Sequence, residues 1–180
     1  AEADEEAQRQ AMERTARWAV RCRSAHSRDD QALFGIVQGG IHEELRQESA
    51  RLTTALDLPG YAIGGLSVGE SKEEMYRLTG FTSALLPCDR PRYLMGVGSP
   101  EDLVECVARG IDLFDCVLPT RVARNGALFT RGGRVKIELA RYQEEIGPVE
   151  EGCDCFTCQR FSAAYLHHLF RCREMLGYRL

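Results

Sequence analysis

No apolar run in this chain approaches the roughly 18 residues that a membrane-spanning helix requires, so its 180 residues hold no candidate helical anchor. The N-terminal stretch is acidic, Asp4-Glu5-Glu6, rather than basic and then apolar, and does not read as a secretory signal. With no such signal, eight cysteines imply a reducing compartment, and a cytoplasmic location is expected. In that setting clustered thiols bind metal and scattered ones pack. An overall positive charge is also lacking: the formal net charge is −4, which argues against bulk nucleic-acid binding. There is no G-x-G-x-x-G after any apolar run, so a dinucleotide cofactor is unsupported. Histidine is scarce, and only His167 and His168 follow the last cysteine cluster.

What is present is ordinary in bulk and specific in detail. A composition 44% hydrophobic and 28% charged is that of a globular chain long enough for a real core. The densest signal is Cys153-Asp154-Cys155-Phe156-Thr157-Cys158. Three thiols this close compete for one small volume unless an ion draws them together. As thiolates they would sit about 2.3 Å from a tetrahedral zinc, which wants a fourth ligand. Cys22, Cys88, Cys106, Cys116 and Cys172 are scattered, and read as small buried hydrophobes or unremarkable thiols.

Four short apolar runs, ending near Gln38, Leu66, Gly98 and Leu118, alternate with helical patterns of period 3.6. The first helix carries Leu45, Leu52, Ala55 and Leu56 on one face. The second carries Met75, Leu78, Thr82, Leu85 and Leu86, and the third Leu103, Val104, Val107 and Ala108. Ser99-Pro100-Glu101-Asp102 is a helix start: capping hydroxyl, proline in the first turn, then acids against the dipole. A preceding amphipathic helix is expected over Ala3 to Arg23, with Met12, Ala16, Ala19 and Cys22 on one side. A last helix is expected to bury Phe161, Tyr165, Leu169, Cys172 and Leu176. Repeated βα units imply a parallel sheet, either doubly wound or part of a barrel. Glycines gather at the strand ends, in Gln38-Gly39-Gly40, Gly64-Gly65-Leu66 and Gly96-Val97-Gly98, where such folds place their sites.

Two carboxylates, Asp112 and Asp115, lie in the fourth apolar run. Three residues apart, they face opposite sides of a strand and do not form a pair. Asp115 is nearer the carboxyl end, where a carboxylate can act as nucleophile, base or metal ligand. The segment from Leu118 to Tyr142 carries six basic residues against one acid, Glu138. It reads as either a local phosphate-binding surface or a solvated face.

Five motifs in order resemble the tRNA-guanine transglycosylase family, also called queuine tRNA-ribosyltransferase. They are Gly35-Ile-Val-Gln-Gly-Gly40, Gly60-Tyr-Ala-Ile-Gly-Gly-Leu-Ser-Val-Gly-Glu70, Pro91-Arg-Tyr-Leu-Met-Gly-Val-Gly98, Phe114-Asp-Cys-Val-Leu-Pro-Thr-Arg121 and Cys153-x-Cys-x₂-Cys158. The resemblance implies an α/β chain that is the C-terminal part of a TIM (β/α)₈ barrel, about four βα units. Residues 1–145 would form the partial barrel and 146–180 an incomplete zinc-binding subdomain with a C-terminal helix. It implies exchange of the wobble guanine of G-U-N anticodon tRNAs for a 7-deazaguanine, through a covalent tRNA-enzyme intermediate, in queuosine biosynthesis.

The resemblance also assigns residues. Asp115 would be the nucleophile. Gln38 and the Gly65 amide would bond the purine carbonyl beside Gly64. The Leu66 carbonyl would face the C7 substituent, with Glu70 steadying the Gly65–Leu66 peptide. Met95 and Gly96 would wall the base, and Arg121 and Arg124 would grip the anticodon loop. Val68 implies the bacterial substrate, 7-aminomethyl-7-deazaguanine. Cys153, Cys155 and Cys158 would hold structural Zn²⁺, whose fourth ligand, a histidine, would lie beyond Leu180. The second catalytic carboxylate of the family has no counterpart here, so the chain alone is expected to be inactive. A half barrel exposes sheet edges, so self-association or cover by a partner is expected, and the family implies a homodimer. Two other readings fit parts of the pattern: a non-catalytic tRNA-binding subunit of a transglycosylase heterodimer, and a small zinc module that binds RNA.

Overall fold

The computed structural model describes residues 4–180, and Ala3, the first residue of the expected N-terminal helix, lies outside them. The chain divides into two compact units, one ending at Cys116 and the other running from Val117 to Leu180. Within the first unit, α1 (Glu5–Ala25) is followed by β1 (Phe34–Val37), α2 (Glu43–Thr54), β2 (Gly60–Ile63), α3 (Lys72–Ala84), β3 (Arg92–Met95), α4 (Pro100–Val107) and β4 (Leu113–Asp115). The four strands form one parallel sheet in the order β1-β2-β3-β4. Parallel neighbours need a crossover, and each helix between strands supplies one. This is the α/β architecture that the alternating periodicity implies.

Helix starts follow local chemistry. Ser71 Oγ accepts from Glu74 N at 3.2 Å, with Glu73 and Glu74 in the first turn of α3. Ser99 Oγ accepts from Asp102 N at 3.3 Å, and Pro100 occupies the first turn of α4. The core lies between the sheet and its helices and includes Val37, Tyr61, Ile63, Met75, Leu78, Leu94, Cys106 and Ile111. All of β2 is buried, as befits a central strand.

Two helices bury faces other than those expected. In α2 the buried residues are Leu45, Arg46, Ser49, Ala50 and Thr53, while Ala55 is exposed. The polar members face backbone at strand ends: Ser49 Oγ accepts from Gln38 N at 2.9 Å. In α4 only Cys106 is buried, and Val104 and Val107 are 71% and 57% exposed. The helix leads into β4, an edge strand, so it packs against α3 on one flank.

Arginines hold the turns at both ends of the sheet. At the amino ends, Arg92 donates to the carbonyls of Leu86 (2.8 Å) and Pro87 (3.2 Å), and its own N–H donates to Asp112 Oδ2 at 2.8 Å. At the carboxyl ends, Arg46 is fully buried and donates to the carbonyls of Gly40 (2.7 Å), Gly64 (3.3 Å) and Gly65 (3.4 Å). Burial brings its pKa down to about 10, against an opposing pull from the Glu70 carboxylate, so it stays charged at neutral pH.

The second unit begins with α5 (Leu118–Arg124) and an antiparallel hairpin of β5 (Ala127–Thr130) and β6 (Gly133–Lys136). A 3₁₀ turn (Ala140–Tyr142), α6 (Phe156–Arg160), α7 (Ala163–Arg171) and α8 (Met175–Arg179) follow. Its core is Ile137, Tyr142, Ala163 and Leu166, with Leu128, Val135 and Phe170 against them. The first compact unit therefore ends before the 1–145 boundary expected from sequence, because the hairpin after β4 packs with the C-terminal helices. The C-terminal helical stretch is also divided rather than continuous. A left-handed Arg173 (φ 57°) ends α7, leaving Tyr165, Cys172 and Leu176 exposed, while Ala163, Leu166, His167 and Leu169 are buried.

Replacing Arg46 with alanine strips three strand-end carbonyls of a shared donor. Of the three, the Gly64 carbonyl is the buried one, and a buried acceptor left unpaired costs about 1–3 kcal/mol. Arg46→Ala is therefore expected to lower the denaturant midpoint clearly, with Arg9→Ala, an exposed helix arginine, as the near-silent comparison. Equal midpoints for the two variants would show that these bonds hold nothing.

Candidate active site

All the residues expected in the base pocket, and Asp115, stand at the carboxyl ends of the parallel strands. Gln38 follows β1, Gly64 to Leu66 follow β2, Met95 ends β3 with Gly96 after it, and Asp115 ends β4. Parallel register carries these ends to one side, since Val37 pairs with Ile63, Ile63 with Leu94, and Met95 with Asp115.

The turns after β1 and β2 form one wall. The Gln38 amide lies against both glycines: a Cβ on Gly64 would sit 2.8 Å from Gln38 Nε2, and one on Gly65 2.8 Å from Gln38 Oε1. Gly65 also holds a left-handed φ of 68°. A side chain at either position would displace the amide, so glycine is needed for the close approach. A pocket of about 530 Å³ is lined here by Gln38, Gly40, Gly65, Val68 and Glu70, with Gln8 and Thr15 of α1 opposite. Leu66 is buried beneath it and Val68 is 80% exposed at its rim. Glu70 accepts from the amides of Ser67 and, at 3.0 Å, of Val68. That is further along the turn than the Gly65–Leu66 peptide expected from the resemblance, because Ser67 takes a left-handed φ of 61°. The carbonyls of Gly64 and Gly65 are held instead by Arg46.

Asp115 is built from the other two strand ends. Its Oδ1 accepts from Tyr93 OH at 2.6 Å and from Gly96 N at 3.0 Å. Gly96 has φ 79°, a left-handed turn that aims its amide back at the carboxylate and that glycine makes without strain. The two bonds, Tyr93 first and Gly96 second, hold the Asp115 carboxyl below the usual carboxylate range, and the same contact raises the Tyr93 phenol. Because both bonds land on Oδ1, the second oxygen receives neither. The group is therefore an oriented, exposed, ionised carboxylate at a strand end. Asp112, bonded to the Arg92 amide at the amino side, has no part in this cluster.

The second unit carries the remaining expected residues. Cys153, Cys155 and Cys158 bring their three Sγ atoms within 4.8 Å of one another. Tetrahedral thiolates at about 2.3 Å from zinc stand about 3.8 Å apart, so the three fit one metal ion with slight closure. Cys155 also opens α6, its Sγ accepting from Cys158 N at 3.4 Å. That amide is the first cause of a lowered Cys155 pKa, whereas burial pushes Cys158 up to about 11. Neither histidine joins the cluster: His167 is buried with Nδ1 2.9 Å from the Ile137 carbonyl, and His168 lies 3.7 Å from Cys172 Sγ. Arg121 and Arg124 are exposed in the last turn of α5.

Sequence reasoning missed Arg46, Ser49 and Tyr93. The first two had a signal, since a charge and a hydroxyl share a helical face with Leu45 and Ala50 at offsets of three and four. Tyr93 reaches Asp115 only through the β3–β4 register, which residue spacing does not state.

The profile of the family described as queuine tRNA-ribosyltransferase matches residues 1–180. The chain is 63% identical over 170 residues to a queuine tRNA-ribosyltransferase of Herpetosiphon aurantiacus, covering 94% of this chain and 43% of that protein. It is 57% and 56% identical, over 173 residues each, to proteins of that name from Bacillus licheniformis and Bacillus subtilis. In both cases 96% of this chain and 45% of the relative are covered, so it spans less than half their length.

Tyr93→Phe removes the stronger donor to Asp115 while keeping the ring. The Asp115 pKa is expected to rise toward the ordinary carboxylate value, so that on acidification the carboxylate protonates sooner than in the parent chain. Carbon-13 NMR titration of the carboxyl reads this directly, and an unmoved titration would remove Tyr93 from the site.

Proposed function

The chain belongs to the queuine tRNA-ribosyltransferase family, and on that premise we propose that it carries the nucleophile and base-pocket half of a tRNA-guanine transglycosylase. The observation that carries this reading is the Asp115 carboxylate, ionised, oriented through one oxygen and open at a strand end. The sheet is read as the C-terminal part of a (β/α)₈ barrel, whose sites sit at this end of the strands.

In the proposed reaction Asp115 attacks ribose C1′ of the wobble nucleotide of a G-U-N anticodon. A C–O bond forms, the C1′–N9 bond breaks, and guanine leaves with the bonding electrons and takes a proton from a general acid. N9 of a 7-aminomethyl-7-deazaguanine then attacks C1′, loses its proton to a base, and the C1′–O bond to Asp115 breaks to release the carboxylate. Two displacements retain the configuration, as in retaining glycosidases. A lowered pKa serves the first step, since only the carboxylate is a nucleophile. Gln38 and the Gly65 amide would bond the purine carbonyl, with Leu66, Met95 and Gly96 shaping the remainder. Arg46 would keep that wall rigid by holding the Gly64 and Gly65 carbonyls. Val68 at the pocket rim favours the smaller bacterial base. Arg121 and Arg124 would contact the tRNA anticodon loop.

The three cysteines are proposed to hold Zn²⁺ in a structural role. When bound, the ion ties the start of α6 to the loop before it. A homodimer is proposed for the full-length enzyme, supported by an aromatic row in which half-buried Phe161 stacks on exposed Tyr165 at 5.6 Å and meets exposed Phe156 edge-on at 5.8 Å. No helix among the described residues is long and apolar enough to cross a membrane, and a cytoplasmic location is proposed.

Labelled guanine exchange into unmodified G-U-N tRNA tests the chemistry, in a chain of the relatives' full length carrying these residues. Asp115→Ala is expected to abolish incorporation and trapping of the covalent tRNA adduct. Activity within about tenfold of the parent, a barrier change near 1.4 kcal/mol, would assign the nucleophile elsewhere. For the metal, Cys155→Ala is expected to strip zinc from the purified protein, and in the parent zinc should be lost on acidification as protons compete for the thiolates. Elemental analysis finding equal zinc in parent and variant would reject the cluster as its site.

A further inference from the structure

Two donors converge on one oxygen of Asp115. Tyr93 OH lies 2.6 Å from Oδ1 and Gly96 N lies 3.0 Å from it, while Oδ2 takes neither bond. Both donors come from β3 and the turn after it. Tyr93 and Met95 stand two residues apart, so their side chains leave the same face of the strand. The register sets Tyr93 opposite Leu113 and Met95 opposite Asp115, and the phenol therefore reaches diagonally to the carboxylate. Gly96 (φ 79°) turns its amide back to the same atom. Tyr93 is half-buried and Asp115 is exposed, so the bonded oxygen is held by protein and the other is left for a substrate.

The bland account is that Tyr93 only orients the carboxylate. Orientation alone would act equally on the free carboxylate and on an ester of it. These donors do not, because a hydrogen bond to an ionised acceptor is about twice as strong as one between neutral groups. They favour the anion over any form of Asp115 that has lost its charge.

We propose that Tyr93, together with the Gly96 amide, is a catalytic donor that releases Asp115 from its bond to ribose and so sets the balance between covalent tRNA adduct and free enzyme. The proposal rests on Asp115 being the nucleophile. In the first displacement a lone pair of Oδ2 forms the bond to C1′, the C1′–N9 pair leaves with guanine, and Oδ1 becomes an ester carbonyl. Both hydrogen bonds weaken as its charge is withdrawn. In the second, N9 of the incoming base bonds to C1′ and the C1′–Oδ2 pair returns to the carboxylate. The charge that spreads onto Oδ1 meets donors already in place, which is how preorganised groups stabilise developing charge. The site gives up some nucleophilicity and gains a leaving group that departs readily. The lowered Asp115 pKa is the same preference with a proton in place of C1′.

The test is the fraction of unmodified G-U-N tRNA held as covalent adduct on a denaturing gel as guanine is added, in a chain of the relatives' full length carrying these residues. Guanine reverses the adduct, so the concentration that halves it reports the balance. Tyr93→Phe is expected to raise that concentration on the order of tenfold and to slow the loss of adduct. In place of Tyr93, 3-fluorotyrosine, a more acidic phenol of nearly the same size, should lower it. An orienting role predicts instead that Tyr93→Phe slows formation and loss of the adduct together, with the half-point unmoved. Absence of adduct in Tyr93→Phe, a half-point within about twofold of the parent, or a half-point that 3-fluorotyrosine fails to lower overturns the proposal and leaves the nucleophile reading standing. Adduct that persists in Asp115→Ala overturns that reading, and the proposal with it.

Discussion

One buried cation organises the strand ends of the first unit. Arg46 is enclosed by protein, and its guanidinium is shared among the carbonyls of Gly40, Gly64 and Gly65. Burying a charge without a carboxylate partner is costly unless hydrogen bonds take up its donors. Here three such bonds go to backbone carbonyls where the chain has left the β ladder and has not entered a helix, while Nη1 is buried with no hydrogen-bond partner among the described residues. The glycines that allow the turns would be loose without an anchor, and an anchor without glycines would find no carbonyls facing it.

From that constraint the two halves of the candidate site follow. The β1 and β2 turns, pinned by Arg46, present Gln38 and the Gly65 peptide edge as a wall. The β3 and β4 ends contribute Tyr93, Gly96 and Asp115, joined by hydrogen bonds across the Met95–Asp115 register. In the proposed reaction the first half would recognise the base and the second would present the charged oxygen. Asp112 serves the opposite end of the same strand, bonded to the backbone of Arg92. Two carboxylates three residues apart thus do unrelated jobs, because the strand separates them along its length and across its faces.

The second unit follows a different logic. With a small core centred on Ile137 and Leu166, it relies on a hairpin, capped short helices and a thiol cluster that a metal ion can complete. Small cores of this kind gain from such staples. Its arginines are spread over α5, the hairpin and the end of α7, and most face solvent rather than acids. With ten arginines and lysines against seven acids, residues 117–180 carry a formal charge of +3 within a chain whose net charge is −4.

Much of this was legible in the residues. Alternating apolar runs and helical faces determined a parallel α/β sheet, because period and turn chemistry are local properties. The cysteine spacing determined a metal-competent cluster, and the strand-end glycines marked the side of the sheet where the candidate site lies. What tertiary structure decided was whatever depended on distant partners. The polar face of α2 is buried because Arg46 donates to carbonyls on two turns, one of them beyond β2, and Ser49 accepts from the Gln38 amide. The valines of α4 are exposed because β4 is a sheet edge. Tyr93 meets Asp115 through interstrand register. Local sequence states which groups a segment offers; only the packed chain determines which of them meet, because hydrogen bonds and burial depend on distance in space rather than along the chain.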